Sequence, residues 1–177
     1  MIKPFFSALR FLTPAPVPAS WAGGERELAL SPCYFPVVGL LAGAVIAAVC
    51  FGLDQVLPPL ASSAVVVCAL VAVSRGLHMD GLADTADGLL SSRPREQALA
   101  IMRDSRTGPM GVVAVVCVLL VKTALFAAVA PEGARWRIAL LMPLAGRCAL
   151  VLTMTVFRYA RPEGGLATVF TAGGARG

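Results

Sequence analysis

The feature that most constrains this chain is an uncharged, largely apolar run from Leu28 to Leu53. Its part from Tyr34 to Leu53 is long enough to cross a bilayer as a helix. Three further apolar runs follow, over 60–74, 109–129 and 138–157. The chain is 58% hydrophobic and 14% charged, whereas soluble domains are typically about 45–50% apolar and about 25% charged. The sequence therefore predicts an all-α, polytopic membrane helix bundle with about four transmembrane helices.

Two shorter amphipathic helices are expected outside these runs. The chain opens with MIKPFFSALRFL, which carries Lys3 and Arg10 among apolar residues and is followed by a proline-rich segment from Pro14. This pattern predicts an N-terminal helix that lies on the membrane. The segment Pro94–Asp104 is also amphipathic, which predicts an interfacial helix in the central loop. The GxxxG pattern in GLLAG (39–43) favours close contact with another helix.

Three aspartates directly follow the second apolar run, within HMDGLADTADG. Asp80, Asp84 and Asp87 are spaced i, i+4 and i+7, so on a helix they fall within roughly 60° of one another. Carboxylates on one face repel each other, and a divalent cation among them would offset that repulsion. Ligand sets made only of oxygen suit Mg²⁺, Mn²⁺ or Ca²⁺ rather than zinc. We therefore predict a metal-binding face at the membrane edge.

A second polar cluster, Arg103-Asp104-Ser105-Arg106, follows the predicted interfacial helix. That helix would fold Asp104 back toward Asp80. Carboxylates for a metal and arginines for phosphate are the groups that phosphoryl transfer needs. The alternative is a solvated loop whose charges neutralise each other. Such a loop would intersperse its acids and bases, whereas the three aspartates here come before the arginines of the second cluster.

Two cations lie inside predicted spans, and such residues usually face a partner or a polar cavity. Arg147 lies near the middle of the fourth span, and we expect it to face the active cavity. Lys122 lies well inside the third span, where a cavity and snorkelling to the interface are both open. The single histidine, His78, is a candidate general base or phosphate ligand, and a capping role beside the helix start is equally open.

The distribution of positive charge predicts the orientation. Lysines and arginines concentrate before the first span, in the central loop and in the tail; the far loop carries Arg135 and Arg137. Both termini and the acidic motif should therefore face the cytoplasm. The net charge of +5 fits anionic lipid headgroups and a phosphorylated substrate. No basic stripe with interleaved aromatics is present, so nucleic acid is not expected as a partner.

HMDGLADTADGLL, followed by IMRDSRTGPMG, closely resembles the cobalamin synthase family, the adenosylcobinamide-GDP ribazoletransferases. The segments FLTPAPVP, FPVVGLLAG and YARPEG resemble further family segments, so the resemblance covers nearly the whole chain. It implies a multi-pass enzyme of the bacterial inner membrane. Such enzymes join adenosylcobinamide-GDP to α-ribazole, or to its 5′-phosphate, and release GMP with Mg²⁺. The bilayer is then a further partner, and a homo-oligomer is compatible with this reading.

Carried over to this sequence, the resemblance implies roles for particular residues. Asp80, Asp84, Asp87 and Asp104 would hold one or two Mg²⁺ at the diphosphate, and one of them would take the proton of the attacking hydroxyl. The remaining candidates would contact substrate, and the arginines among them would neutralise developing charge. They are His78, Arg103, Ser105, Arg106, Lys122, Arg147 and Arg161.

Family members are longer and carry a late acidic motif, Gly-Gly-x-Thr-Gly-Asp-x-x-Gly, which is not found before Gly177. We therefore expect residues 1–177 to form one integral-membrane domain, truncated at its C-terminal end relative to the family and weak or inactive alone. CDP-alcohol phosphotransferases are an alternative, but they need D-G-x-x-A-R, and Asp84 follows Ala83 here. Intramembrane prenyltransferases use two D-x-x-x-D motifs, of which one is present. A transporter would carry its acids in mid-span.

Overall fold

The computed structural model describes residues 2–129, 134–160, 164 and 168–172, and every regular element within those ranges is helical. The all-α class predicted from the sequence is confirmed. The elements are α1 (Lys3–Leu12), α2 (Ala19–Ala22), α3 (Glu25–Ala29), a 3₁₀ turn (Ser31–Tyr34), α4 (Phe35–Leu53), α5 (Pro59–Val73), α6 (Leu77–Leu89), α7 (Arg95–Ile101), α8 (Pro109–Ala128), α9 (Arg135–Val156) and α10 (Thr168–Ala172).

Three segments of the described chain are long and apolar enough to cross a membrane: Ser31–Leu53, Pro109–Ala128 and Arg135–Val156. The second predicted run forms α5, which has only 15 residues. It reaches the length of a membrane span only together with α6, from which it is bent by 88°. The bundle therefore offers three helices that can span, or four if the bent pair is one span, in agreement with the sequence.

Proline marks the beginning of three long helices. Pro36, Pro59 and Pro109 each occupy one of the first two positions of α4, α5 and α8. The first N–H groups of a helix have no intrahelical acceptor, so the missing donor of proline costs nothing there, and its fixed φ favours the helix. These prolines therefore set the points at which the chain enters the bundle.

The most extensive helix pairing joins α4 to α9, and two glycines permit it. A Cβ atom added at Gly39 would lie 2.7 Å from the Pro143 carbonyl oxygen, and one at Gly43 would overlap the Leu140 carbonyl oxygen. The absence of these side chains lets the two backbones approach closely, as in other small-residue interfaces. The helix contact predicted from GxxxG is confirmed, and α9 is its partner.

Helix α1 packs its apolar side against the beginning of α4. Ala8 and Leu12 form one buried cluster with Phe35 and Val38, and the rings of Phe11 and Phe35 stack with centroids 6.0 Å apart. The opposite side of α1 is exposed. The predicted amphipathic helix is therefore present, and its apolar side is covered by the protein.

A sharp bend after α5 sets the direction of the acidic motif. Arg75 and Gly76 both have positive φ, 51° and 73°. Only glycine adopts this conformation at no steric penalty, so Arg75 is held in a backbone region unusual for its type. The two residues turn the chain between α5 and α6. As a result α6 leaves the axis of the spanning bundle instead of continuing α5.

Candidate functional site

Helix α6 carries all three aspartates of the central motif, as the spacing predicts. Its buried residues, Ala83, Ala86 and Gly88, are small. They let the helix lie close to α7 and α8. The larger polar side chains are then left on the outer part of the helix, where Asp80 is exposed and Asp84 half-buried.

Asp80 lines a cavity of about 670 Å³ between the first turn of α6 and the beginning of α8. Arg75 and Thr107 also line it, and the opposite wall is formed by valines of α8. Asp84 follows Asp80 by one helical turn. Two carboxylates one turn apart on a helix can bind one hard cation between them, together with oxygens of a ligand.

Asp87 has a different environment. Its Oδ2 accepts the backbone N–H of Gly108 at 2.6 Å, and its Oδ1 accepts that of Gly111 at 2.8 Å. Both N–H groups belong to the beginning of α8, where amide groups lack intrahelical partners and the helix dipole favours negative charge. The Asp87 carboxylate therefore caps α8 and ties it to α6.

Asp104 forms an ion pair within its own loop. Arg106 Nη2 lies 2.6 Å from Asp104 Oδ2, and the Arg106 backbone N–H donates to Oδ1 at 3.0 Å. These hydrogen bonds from Arg106 lower the pKa of Asp104 to about 2. The carboxylate is therefore ionised throughout the physiological range. Both side chains remain accessible from solvent.

Two of these four aspartates have the surroundings that suit a magnesium ligand. Across the described residues, no three His, Cys, Asp or Glu side chains come together as a group able to hold a metal. Mg²⁺, however, is usually held by one or two carboxylates, with substrate phosphates and water completing its shell. Asp80, at the edge of the cavity, and Asp84, one turn further along α6, could supply these carboxylates. Asp87 and Asp104 are already engaged with the beginning of α8 and with Arg106.

The two intramembrane cations face a second cavity, of about 560 Å³, which is lined by residues of α5, α6, α8 and α9. Lys122, Arg147 and His78 line it from three different helices, and the rest of the wall is mainly aliphatic. Arg147, which we expected to face the active cavity, and Lys122, for which a cavity and the interface were both open, thus line the same cavity. It is separate from the cavity that Asp80 lines, although Ser74 and Met79 border both.

The remaining predicted residues lie on the loop side of the bundle. Arg103 donates to the Gly164 carbonyl oxygen at 3.3 Å, and Arg95 donates to that of Ala160 at 2.8 Å. These bonds connect the central loop to the chain that follows α9. Ser105 is exposed in the same loop. Arg161 lies outside the described residues.

A buried polar network at the opposite end of the bundle was not found from the sequence. Arg135 is only 3% exposed; its Nη1 lies 3.1 Å from Asp54 Oδ1, and its Nη2 donates to Ser63 Oγ at 2.7 Å. Ser62 donates to the same Asp54 oxygen at 2.5 Å. Asp54 directly follows one span and Arg135 begins another, and only this shared position at span ends could have indicated the pair.

The chain was compared with known proteins. The family model described as Cobalamin-5-phosphate synthase matches residues 4–176. The adenosylcobinamide-GDP ribazoletransferase of Desulforamulus reducens is 41% identical over 165 residues, which cover 91% of this chain and 66% of the relative. Those of Roseiflexus sp. (strain RS-1) and Citrobacter koseri are 42% and 40% identical, over 94% and 96% of this chain and 61% and 70% of the relative.

No solved structure matches the chain. The chain spans about two thirds of the length of the curated relatives that it matches. The family match nevertheless runs through nearly all of its residues, including both cavities and α6. The chain belongs to the Cobalamin-5-phosphate synthase family.

Proposed function

We propose that this chain catalyses the adenosylcobinamide-GDP ribazoletransferase reaction that names its curated relatives. In this reaction a ribose hydroxyl of α-ribazole, or of its 5′-phosphate, attacks the diphosphate of adenosylcobinamide-GDP. A new oxygen–phosphorus bond forms, the bond to GMP breaks, and the hydroxyl proton passes to a carboxylate. The observation that carries the proposal is Asp80 at the edge of a cavity, with Asp84 one turn further along α6.

We further propose Mg²⁺ as the cofactor, with Asp80 and Asp84 as its protein ligands. When bound, the ion would neutralise charge on the diphosphate and on the departing GMP. Asp87 would have a structural role, because its carboxylate holds α6 against α8. Asp104 would have to leave Arg106 before it could join the ligand set, and Arg106 would then be available to the leaving phosphate.

The proposed location is the bacterial inner membrane, with α6 and the central loop on the cytoplasmic side. Positive charge in the loops supports this orientation. The pair of Arg135 with Asp54 adds a second argument, because it neutralises one of the two far-loop arginines that oppose the rule. Exposed aliphatic side chains along α8, among them Val113, Leu120 and Leu125, are typical of a lipid-facing helix.

The test is release of GMP from adenosylcobinamide-GDP in membranes that contain this chain, with and without α-ribazole. The ribazoletransferase of Citrobacter koseri provides a positive control. We expect GMP release that requires both the acceptor and Mg²⁺ and that stops with EDTA. Acceptor-independent release would instead indicate a hydrolase. No release from the chain, even after its extension to the length of its relatives, under conditions in which the control is active, would contradict the proposal.

A further inference from the structure

The cavity between α5, α6, α8 and α9 has the composition of an anion site. Arg147 is only 6% exposed, and its Nε and Nη2 atoms have no hydrogen-bond partner within the described part of the chain. Lys122 and His78 line the same cavity, and its described wall includes no carboxylate. A buried guanidinium without acceptors is unfavourable. A bound anion would supply the missing acceptors.

The neighbouring cavity has the opposite character, since Asp80 lines it. A diphosphate with its own Mg²⁺ suits the carboxylate side, because the ion supplies the positive charge. A phosphate that arrives without a metal needs cations from the protein. A phosphate monoester carries about −1.5 to −2 charge at pH 7, which the charges of Lys122 and Arg147 would balance.

We propose that this cavity binds the phosphate monoester of the acceptor nucleotide, through Arg147 and Lys122. The inference rests on the proposed function and adds a separate acceptor subsite to it. Ser74 and Met79 border both cavities, so the two adjoin where α5 bends into α6. With its phosphate beside Arg147, the acceptor would direct its ribose toward the cavity of Asp80. His78, next to Met79 on α6, lines the cavity of Arg147.

The first experiment measures binding without the donor substrate and without metal. The chain is placed in phosphatidylcholine nanodiscs with EDTA, and α-ribazole 5′-phosphate and α-ribazole are titrated by calorimetry. We expect the phosphorylated acceptor to bind about tenfold or more tightly, as a charge-assisted contact provides. Arg147→Met should remove that preference, and Arg147→Lys should retain part of it. Equal binding of the two acceptors to the unmodified chain would overturn the proposal.

Two variants separate the site from general effects on folding. Arg137→Met removes a cation of the same helix that is exposed outside the cavity, so the preference should persist. A Cβ atom at Gly146, which also lines the cavity, would meet open space. Gly146→Phe should therefore fill the cavity while all its cations remain, and the preference should be lost. Persistence of the preference in Gly146→Phe would place the phosphate elsewhere.

An anionic lipid headgroup is the competing occupant. Nanodiscs that contain phosphatidylglycerol should leave the affinity for the phosphorylated acceptor within about threefold of that in phosphatidylcholine. Native mass spectrometry then shows whether the unmodified chain retains phosphatidylglycerol that Arg147→Met does not. Such retention, together with a larger loss of affinity for the phosphorylated acceptor, would overturn the proposal in favour of a lipid site. These binding measurements are independent of GMP release. Failure of the proposed reaction and failure of this subsite are therefore distinguishable.

Discussion

The Asp87 carboxylate accepts the Gly108 N–H at 2.6 Å, across 21 positions of sequence. This contact joins the helix that carries the acidic motif to the beginning of α8. A Cβ atom at Gly111 would run into the same carboxylate, so the tie also requires a glycine at that position. One of the three aspartates of the motif is thus occupied in positioning the other two.

Replacing Asp87 should therefore reduce stability. Asp87→Ala removes two hydrogen bonds to a charged acceptor, each of which contributes about 1.5–3 kcal/mol, and leaves two amides of α8 without their acceptor. We expect a clear fall in the midpoint of thermal unfolding in detergent. Asp80→Ala, on the exposed part of the same helix, should change the midpoint little. Equal midpoints for the two variants would contradict the capping role.

The contact of α4 with α9 predicts opposite outcomes for two glycines of one helix. Gly43→Ala places a methyl group against the Leu140 carbonyl and must force α4 and α9 apart; overpacking of this kind costs about 1–3 kcal/mol. Gly52→Ala meets nothing within 4 Å and should be neutral or slightly stabilising. Unfolding of the two variants in sodium dodecyl sulfate measures the difference. Matching losses of stability would show that the close approach is not essential.

Arg135 and Asp54 should be coupled energetically. Removing one partner of a buried ion pair leaves an uncompensated charge and typically costs about 3–5 kcal/mol. We therefore expect Arg135→Met and Asp54→Ala each to destabilise strongly. The double variant should lose less stability than the sum of the two single variants. An additive double-mutant cycle would mean that Arg135 is held by Phe126 and Ser63 rather than by Asp54.

The elements could be predicted from the sequence because each depends on local pattern. Apolar runs gave α4, α5, α8 and α9, and the spacing of the aspartates gave α6. The bend of 88° between α5 and α6 could not be predicted, because it depends on positive φ at Arg75. Nothing in its side chain indicates that conformation.

The contacts of the acidic residues could not be predicted from the sequence, for a related reason. The helical spacing placed Asp80, Asp84 and Asp87 on one side of α6, but it could not reveal that Gly108 and Gly111 reach only the last of them. Likewise, Arg147 was predicted to face the active cavity, and for Lys122 a cavity and the interface were both open. That this cavity differs from the one lined by Asp80 depends on how four helices pack.

The orientation can be tested with two cysteines introduced into a variant that lacks the native ones. Val56→Cys lies in the turn after α4, where Val56 is 76% exposed, and Gln97→Cys lies on the exposed side of α7. Because positive charge favours a cytoplasmic central loop, an impermeant maleimide applied to intact spheroplasts should label only position 56. Labelling of position 97 before lysis would reverse the proposed orientation.

Asp80 and Asp84 should be essential for turnover. Asp80→Asn and Asp84→Asn keep the size of the side chain but remove a negative charge that a divalent cation requires. Each variant should lose GMP release by at least about 100-fold, or about 2.7 kcal/mol of transition-state stabilisation, while expression and membrane insertion stay normal. Glu96→Gln, which neutralises an exposed carboxylate of α7, should retain full activity.

Raising the Mg²⁺ concentration should restore part of the activity lost in Asp80→Asn and Asp84→Asn if the two aspartates bind the ion, because weaker ligands raise its dissociation constant. Unchanged turnover in Asp84→Asn would remove Asp84 from the site, and a loss insensitive to Mg²⁺ would assign it another role.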